Sequence, residues 1–161
     1  MKNLLYILLV AGILFSSCSE EEDSPFSPTS SFICKIDGEQ LSDSSPSAQI
    51  LTTNHAINGA LEIVAASNLP NGRVMNTVTL TIYNFSSIVE NTPVFLGLSG
   101  KGELWKGVGV WQTSEPNFTG TISFSKITSN KVSGTFSFEA RNADNNTSVS
   151  VTEGVFTAVS Y

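Results

Sequence analysis

Lys131-Val132-Ser133-Gly134-Thr135-Phe136-Ser137-Phe138-Glu139-Ala140 decides the fold. Val132, Gly134, Phe136, Phe138 and Ala140 alternate with polar or charged residues. Side chains of a strand point alternately to its two faces, so this period of two describes a strand with one face on a core and one in water. A helix would need apolar residues three and four apart, which this stretch does not offer. The preceding segment, Thr121 to Ile127, repeats the pattern, with Ile122 and Phe124 on one face and Thr121, Ser123 and Ser125 on the other. Thr128-Ser129-Asn130 between them is a short hairpin connection. Downstream, Arg141 to Thr147 is a polar turn, and Val149-Ser150-Val151 with Gly154 to Tyr161 forms the last strand region.

Towards the N-terminus, Thr77-Val78-Thr79-Leu80-Thr81-Ile82-Tyr83 alternates most clearly, its Val, Leu and Ile on one side and its threonines on the other. Ala48 to Thr53 and Leu61 to Ala66 read as strands, and Phe32 to Ile36 as one that ends at the turn dipeptide Asp37-Gly38. Asn68-Leu69-Pro70-Asn71-Gly72 is a loop. Pro93 to Leu98 and Val108 to Gln112 are strands around a glycine-rich connection. A short helix is expected at Ser86 to Glu90 or within Arg73 to Asn76. No internal repeat is visible. About nine short strands with frequent turns predict a single all-β domain, an antiparallel β-sandwich or barrel-like fold.

The chain has 161 residues, enough for one domain with its own core and too few for a TIM barrel. With 8 basic and 14 acidic residues, its net charge of −6 argues against nucleic acid, whose phosphates need basic patches. One histidine and two cysteines exclude His-rich or Cys-rich metal clusters. Ser, Thr and Asn total 52, a composition suited to half-exposed strands and their turns.

The first residues read as an address. Lys2 precedes an apolar run from Leu4 to Phe15 that as a helix covers about 18 Å, short of the roughly 30 Å hydrocarbon core. It is therefore an export signal and not a transmembrane anchor. The residues before Cys18 are small. Leu14-Phe15-Ser16-Ser17-Cys18 resembles a bacterial lipoprotein signal, with Phe15 where Leu is usual. The resemblance implies that residues 1–17 are a signal peptide and that Cys18 is lipidated, so that acyl chains, palmitate among them, anchor the protein to the membrane. Ser19-Glu20-Glu21-Glu22-Asp23 resembles the surface-export signal of Bacteroidota lipoproteins. Residues 18–30 would then be a lipidated tether, acidic and then rich in Pro and Ser, and residues 31–161 the β domain. Cys34 is left as the one thiol of that domain.

A second resemblance covers most of the domain. Phe32-Ile33-Cys34-Lys35-Ile36-Asp37-Gly38, Gly134-Thr135-Phe136-Ser137-Phe138-Glu139-Ala140 and Glu153-Gly154-Val155-Phe156 are similar to the opening and closing motifs of a family of uncharacterised Bacteroidota lipoproteins. Cys34 stands where Ala is usual, and Leu41 near where an aromatic is common. The resemblance implies an extracytoplasmic β domain, and it supplies no catalytic residues.

Candidate sites reduce to one region. Gly97-Leu98-Ser99-Gly100-Lys101-Gly102 lacks the first glycine and the Ser/Thr of a phosphate loop and reads as a mobile hairpin loop. His55 has no nucleophile or paired carboxylate near it in sequence. Asp144-Asn145-Asn146 lacks the Gly and closing Glu of a calcium loop and reads as a polar turn. The carboxylates offer no pair that sequence can select for glycoside chemistry. Cys34, inside a strand, reads as a buried small apolar residue. Trp105 and Trp111, with Tyr83, Phe85 and Phe95, form an aromatic-rich middle. Such rings either fill the core or, if exposed, stack on sugar faces, for which Trp105, Trp111 and Tyr83 are the candidates.

The expectation is a lipid-anchored outer-membrane protein, facing outward, that acts as a non-enzymatic binding or interaction module. No catalytic residue, metal ligand or cofactor is assigned. Its partners would be the membrane through the lipid anchor and a glycan or an envelope protein. The alternatives are a carbohydrate-binding or glycan-hydrolysing accessory protein, which needs two facing carboxylates, and a structural subunit of an envelope assembly, which needs an open edge or an apolar patch.

Overall fold

The computed structural model describes residues 29–51, 59–68, 74–114 and 116–161, apart from the side chains of residues 68, 74 and 75. Cys18, Ser19 to Asp23, His55, Glu115 and the loop at 69–72 lie outside the described residues. In chain order the strands are β1 (Ser31–Ile36), β2 (Glu39–Asp43), β3 (Ser47–Leu51), β4 (Ala60–Asn68), β5 (Val74–Ile82) and β6 (Val94–Leu96). They continue with β7 (Gly100–Lys106), β8 (Gly109–Gln112), β9 (Gly120–Ile127), β10 (Lys131–Arg141) and β11 (Ser148–Ser160). Every pairing between them is antiparallel, in one sheet that does not close on itself.

The sheet folds into two layers because β10 outruns β9. Along Val132 to Phe138 it pairs with β9 on one edge and with β11 on the other. Beyond the start of β9 its end reaches a different strand, with Arg141 opposite Gln112 of β8. One layer therefore runs β2-β1-β11-β10-β9-β6, and the other runs β8-β7-β5-β4-β3. Their inner faces share one core. Phe32, Leu41, Ile122, Phe124, Phe136 and Phe156 come from the first layer, and Leu61, Ile63, Val78, Leu80, Ile82 and Leu104 from the second. Each such side chain contributes about 1.5–3 kcal/mol on burial. The rings are in contact, Phe32 tilted against Phe136 at 5.0 Å and Phe124 edge-to-face with Phe156 at 5.6 Å between centroids.

In β10 the alternation expected from sequence is complete: Val132, Gly134, Phe136, Phe138 and Ala140 are buried, and the residues between them are not. In β5 Val78, Leu80 and Ile82 are buried as expected, but so are Thr79 and Thr81. A central strand has long neighbours on both sides, and these cover its short threonines. Asp37-Gly38 turns β1 into β2 with φ of 49° and 89°, the left-handed pair that a two-residue hairpin needs.

Among the described residues eleven strands replace the nine expected. β2 carries a single buried apolar residue, Leu41, too little for a sequence pattern. β7 lies in what read as the glycine-rich connection, of which Gly97 to Ser99 and Gly107-Val108 remain turns. Gly100 and Gly102 are buried strand residues chosen for lack of volume. A Cβ at Gly102 would meet the Phe138 ring of the opposite layer at 2.9 Å, and one at Gly100 the Leu96 side chain at 3.2 Å. The expected helix is a three-residue 3-10 turn at Phe85–Ser87, while Val74 to Asn76 belong to β5.

Candidate functional site

Alternation that buries one face of the first layer leaves the other to solvent. On that outer face Thr121 of β9 stands opposite Ser137 of β10, and Phe95 of β6 stands opposite Thr121. A second row places Ser123 opposite Thr135 and Thr135 opposite Val155 of β11. Side chains this short leave the sheet surface low between taller neighbours. Gly120, at the start of β9, stands opposite the buried Phe138 and Leu96 and belongs to the inward row.

Two adjoining hollows result, of about 390 Å³ and 500 Å³, which meet at Thr121 and Ser137. Together they form an open groove running across β6, β9, β10 and β11. Phe95 and Glu139 flank the first hollow, and Pro93 and Glu153 the second. The Phe95 ring is 58% exposed although its neighbours Val94 and Leu96 are buried. Val155, which lines the second hollow, is also exposed on this face.

The groove's far wall is set by a bulge. Between the pairs Phe138–Val151 and Phe136–Gly154, β11 has one residue more than β10. Glu153 takes the resulting left-handed conformation, φ 51°, at a cost of about 1–2 kcal/mol for a residue with a Cβ. Its carboxylate meets the Lys35 ammonium at 2.7 Å, an exposed pair worth at most about 1 kcal/mol.

Of the aromatic residues singled out from sequence, Tyr83 and Phe95 line one hollow, while Trp105 and Trp111 lie elsewhere. Trp105 is half-exposed on the outer face of the other layer, opposite Thr77 and Val110. Trp111 stands opposite Leu104, against the edge of the core, and its indole N–H donates to the Thr147 hydroxyl at 3.0 Å. Tyr83 is partly buried beside a separate hollow of about 280 Å³, which Phe95 also lines. Phe85 is buried in the core. Phe95 is the ring that stands on the groove. Its signal was the run Val94-Phe95-Leu96, since three apolar neighbours in a strand cannot share one face.

Other candidates settle into structure. Asn142 Oδ1 accepts the backbone N–H of Asp144 at 2.9 Å, and Asn145 Oδ1 that of Thr147 at 3.1 Å, which makes Arg141 to Thr147 a polar turn. Cys34 is fully buried with a free thiol, and desolvation pushes its pKa from 9.0 up to about 12. Such a thiol is neutral and unreactive at physiological pH.

The chain belongs to the family described as "Domain of unknown function (DUF6252)", whose model matches residues 47–160. The match spans β3 to β11 and includes the Gly134 to Ala140 and Glu153 to Phe156 motifs, while the Phe32 to Gly38 motif precedes it. No curated protein and no solved structure matches the chain.

Proposed function

We propose that this DUF6252 chain is a lipid-anchored lipoprotein of the outer membrane, displayed on the cell surface, whose β-sandwich is a non-enzymatic binding module. The carrying observation is the open groove, in which an exposed Phe95 stands among the hydroxyls of Thr121 and Ser137. A rigid sheet floor holds these groups in fixed positions, which limits the entropy lost when a ligand binds. The address is supported by the sequence. Cys18 follows a short apolar run, and an acidic, Pro/Ser-containing stretch separates it from β1. That composition keeps a tether extended, so the groove can stand clear of the headgroups.

External protease on intact cells tests this reading, with metabolic palmitate labelling beside it. The wild type is expected to carry label and to be shaved. Cys18→Ala should lose the label, and replacement of Glu20 to Asp23 by alanine should abolish shaving. A wild type that stays protected in intact cells would overturn surface display.

A further inference from the structure

The lining of the groove defines the chemistry of its ligand. Phe95 offers an apolar plane with a large exposed area. Around it, the hydroxyls of Thr119, Thr121, Ser137 and Thr152 have no hydrogen-bond partner among the described residues. Among the described residues the ionisable groups lining the groove are Glu139 and Glu153, and Glu153 engages the Lys35 ammonium at 2.7 Å. Phosphate, sulfate or carboxylate on a ligand would meet two carboxylates and no Lys or Arg among the described lining residues. A neutral ligand with one apolar face and a rim of hydroxyls satisfies every part: C–H groups on the ring, hydroxyls on Thr, Ser and the Glu139 carboxylate. The hollows also extend over four strands, roughly 14 Å at the usual strand spacing, which suits a chain of rings better than a single one.

We propose that this groove binds a neutral oligosaccharide, with Phe95 as the stacking platform and Thr121, Ser137 and Glu139 as its hydrogen-bonding partners. The inference rests on the reading of the domain as a binding module and adds the ligand class.

Native electrophoresis of the full mature chain in detergent, through gels containing a neutral β-glucan, xylan or α-mannan, tests it, with polygalacturonate as the anionic comparison. Retardation by at least one neutral polysaccharide and none by the anionic one is expected. Phe95→Ala should weaken the retardation by about tenfold or more, Phe95→Trp should keep it, and Trp105→Ala, on the other layer, should leave it unchanged. Ser137→Tyr, which fills the groove floor and leaves Phe95 in place, should weaken it as well. Absence of retardation in every neutral gel would overturn the proposal, as would retardation only by polygalacturonate or equal retardation of wild type, Phe95→Ala and Ser137→Tyr. Protease shaving is independent of this result. A shaved chain that is not retarded loses the ligand class alone, whereas a retarded chain that is protected loses only its surface location.

Discussion

The Asp43 carboxylate accepts the backbone N–H of Ala66 at 2.9 Å, and by this bond β2 of one layer is fastened to β4 of the other. The register explains why a side chain is needed. β3 ends its pairing with β4 at Ser47 opposite Val64, so the next outward N–H of β4 has no strand beside it. The other carboxylate oxygen accepts from Ser45 N at 2.8 Å and shapes the turn that carries the chain between layers. Asp43→Ala leaves the partly buried N–H of Ala66 unpaired and should cost about 1–3 kcal/mol. Asp43→Asn, with one acceptor left, should cost less. Urea denaturation will read this as a lower midpoint with an unchanged slope. Equal midpoints for wild type and Asp43→Ala would show that water replaces the carboxylate.

The glycines divide into those needed for space and those needed for conformation. Gly120→Ala forces a methyl group to 2.2 Å from the Ser137 oxygen and 2.3 Å from Phe138 Cβ, and should cost about 3 kcal/mol or more. Gly38→Ala meets nothing within 4 Å, and its penalty is the left-handed backbone at φ 89°, about 1 kcal/mol. Thermal melts of the two variants should therefore separate widely.

Cys34 gives the domain an alkaline limit. Its thiol pKa is raised in the fold to about 12 from 9.0, so between these values the unfolded chain has lost a proton that the folded chain keeps. Stability is unaffected below about pH 9 and falls as pH rises above it, by up to about 1.4 kcal/mol per pH unit. Cys34→Ala should remove this component of the slope between pH 9 and 11. Identical pH profiles for the two proteins would count against the burial of the thiol.

The bulge at Glu153 sets stability against the groove wall. Glu153→Gly removes the left-handed penalty of about 1–2 kcal/mol and gives up an exposed ion pair worth about 1 kcal/mol or less. The glycine variant should be as stable as wild type or more so. Glu153→Val, with a branched side chain at positive φ, should be less stable by about 2 kcal/mol. Calorimetric melting temperatures in the order Gly, Glu, Val check the argument; a reversed order would refute it.

How far the sequence could be read depended on what stood at the inward positions. β9 and β10 were legible because Phe124, Phe136 and Phe138 alternate with Ser and Thr, and water on one face enforces that contrast. β7 was not, because two of its three inward residues are Gly100 and Gly102, with Leu104 the third, and the glycines' volume is supplied by Leu96 and Phe138 from the opposite layer. No local pattern reports a partner as distant in sequence as Phe138 is from Gly102. The groove was hidden for the same reason. Ser and Thr on an outer face look alike wherever they occur, and they become a site only when β6 lays Phe95 beside Thr121. Trp105 and Trp111 attracted notice by residue type, yet pairing with β8 turned one outward and the other onto the core edge. Burial of Cys34 was readable because Phe32 and Ile36 share its face of β1.

The pairing of β1 with β11 has a consequence for the order in which the chain can assemble. Lys35 and Glu153 touch although 118 residues separate them, and Asp37 exchanges two hydrogen bonds with Ser150 across 113. The strand that leaves the ribosome first must wait for the one that leaves last. The high contact order implies slow folding, with no stable half-structure forming while the chain is still being made. Truncation within β11 would leave both β1 and β10 without a neighbour on that edge.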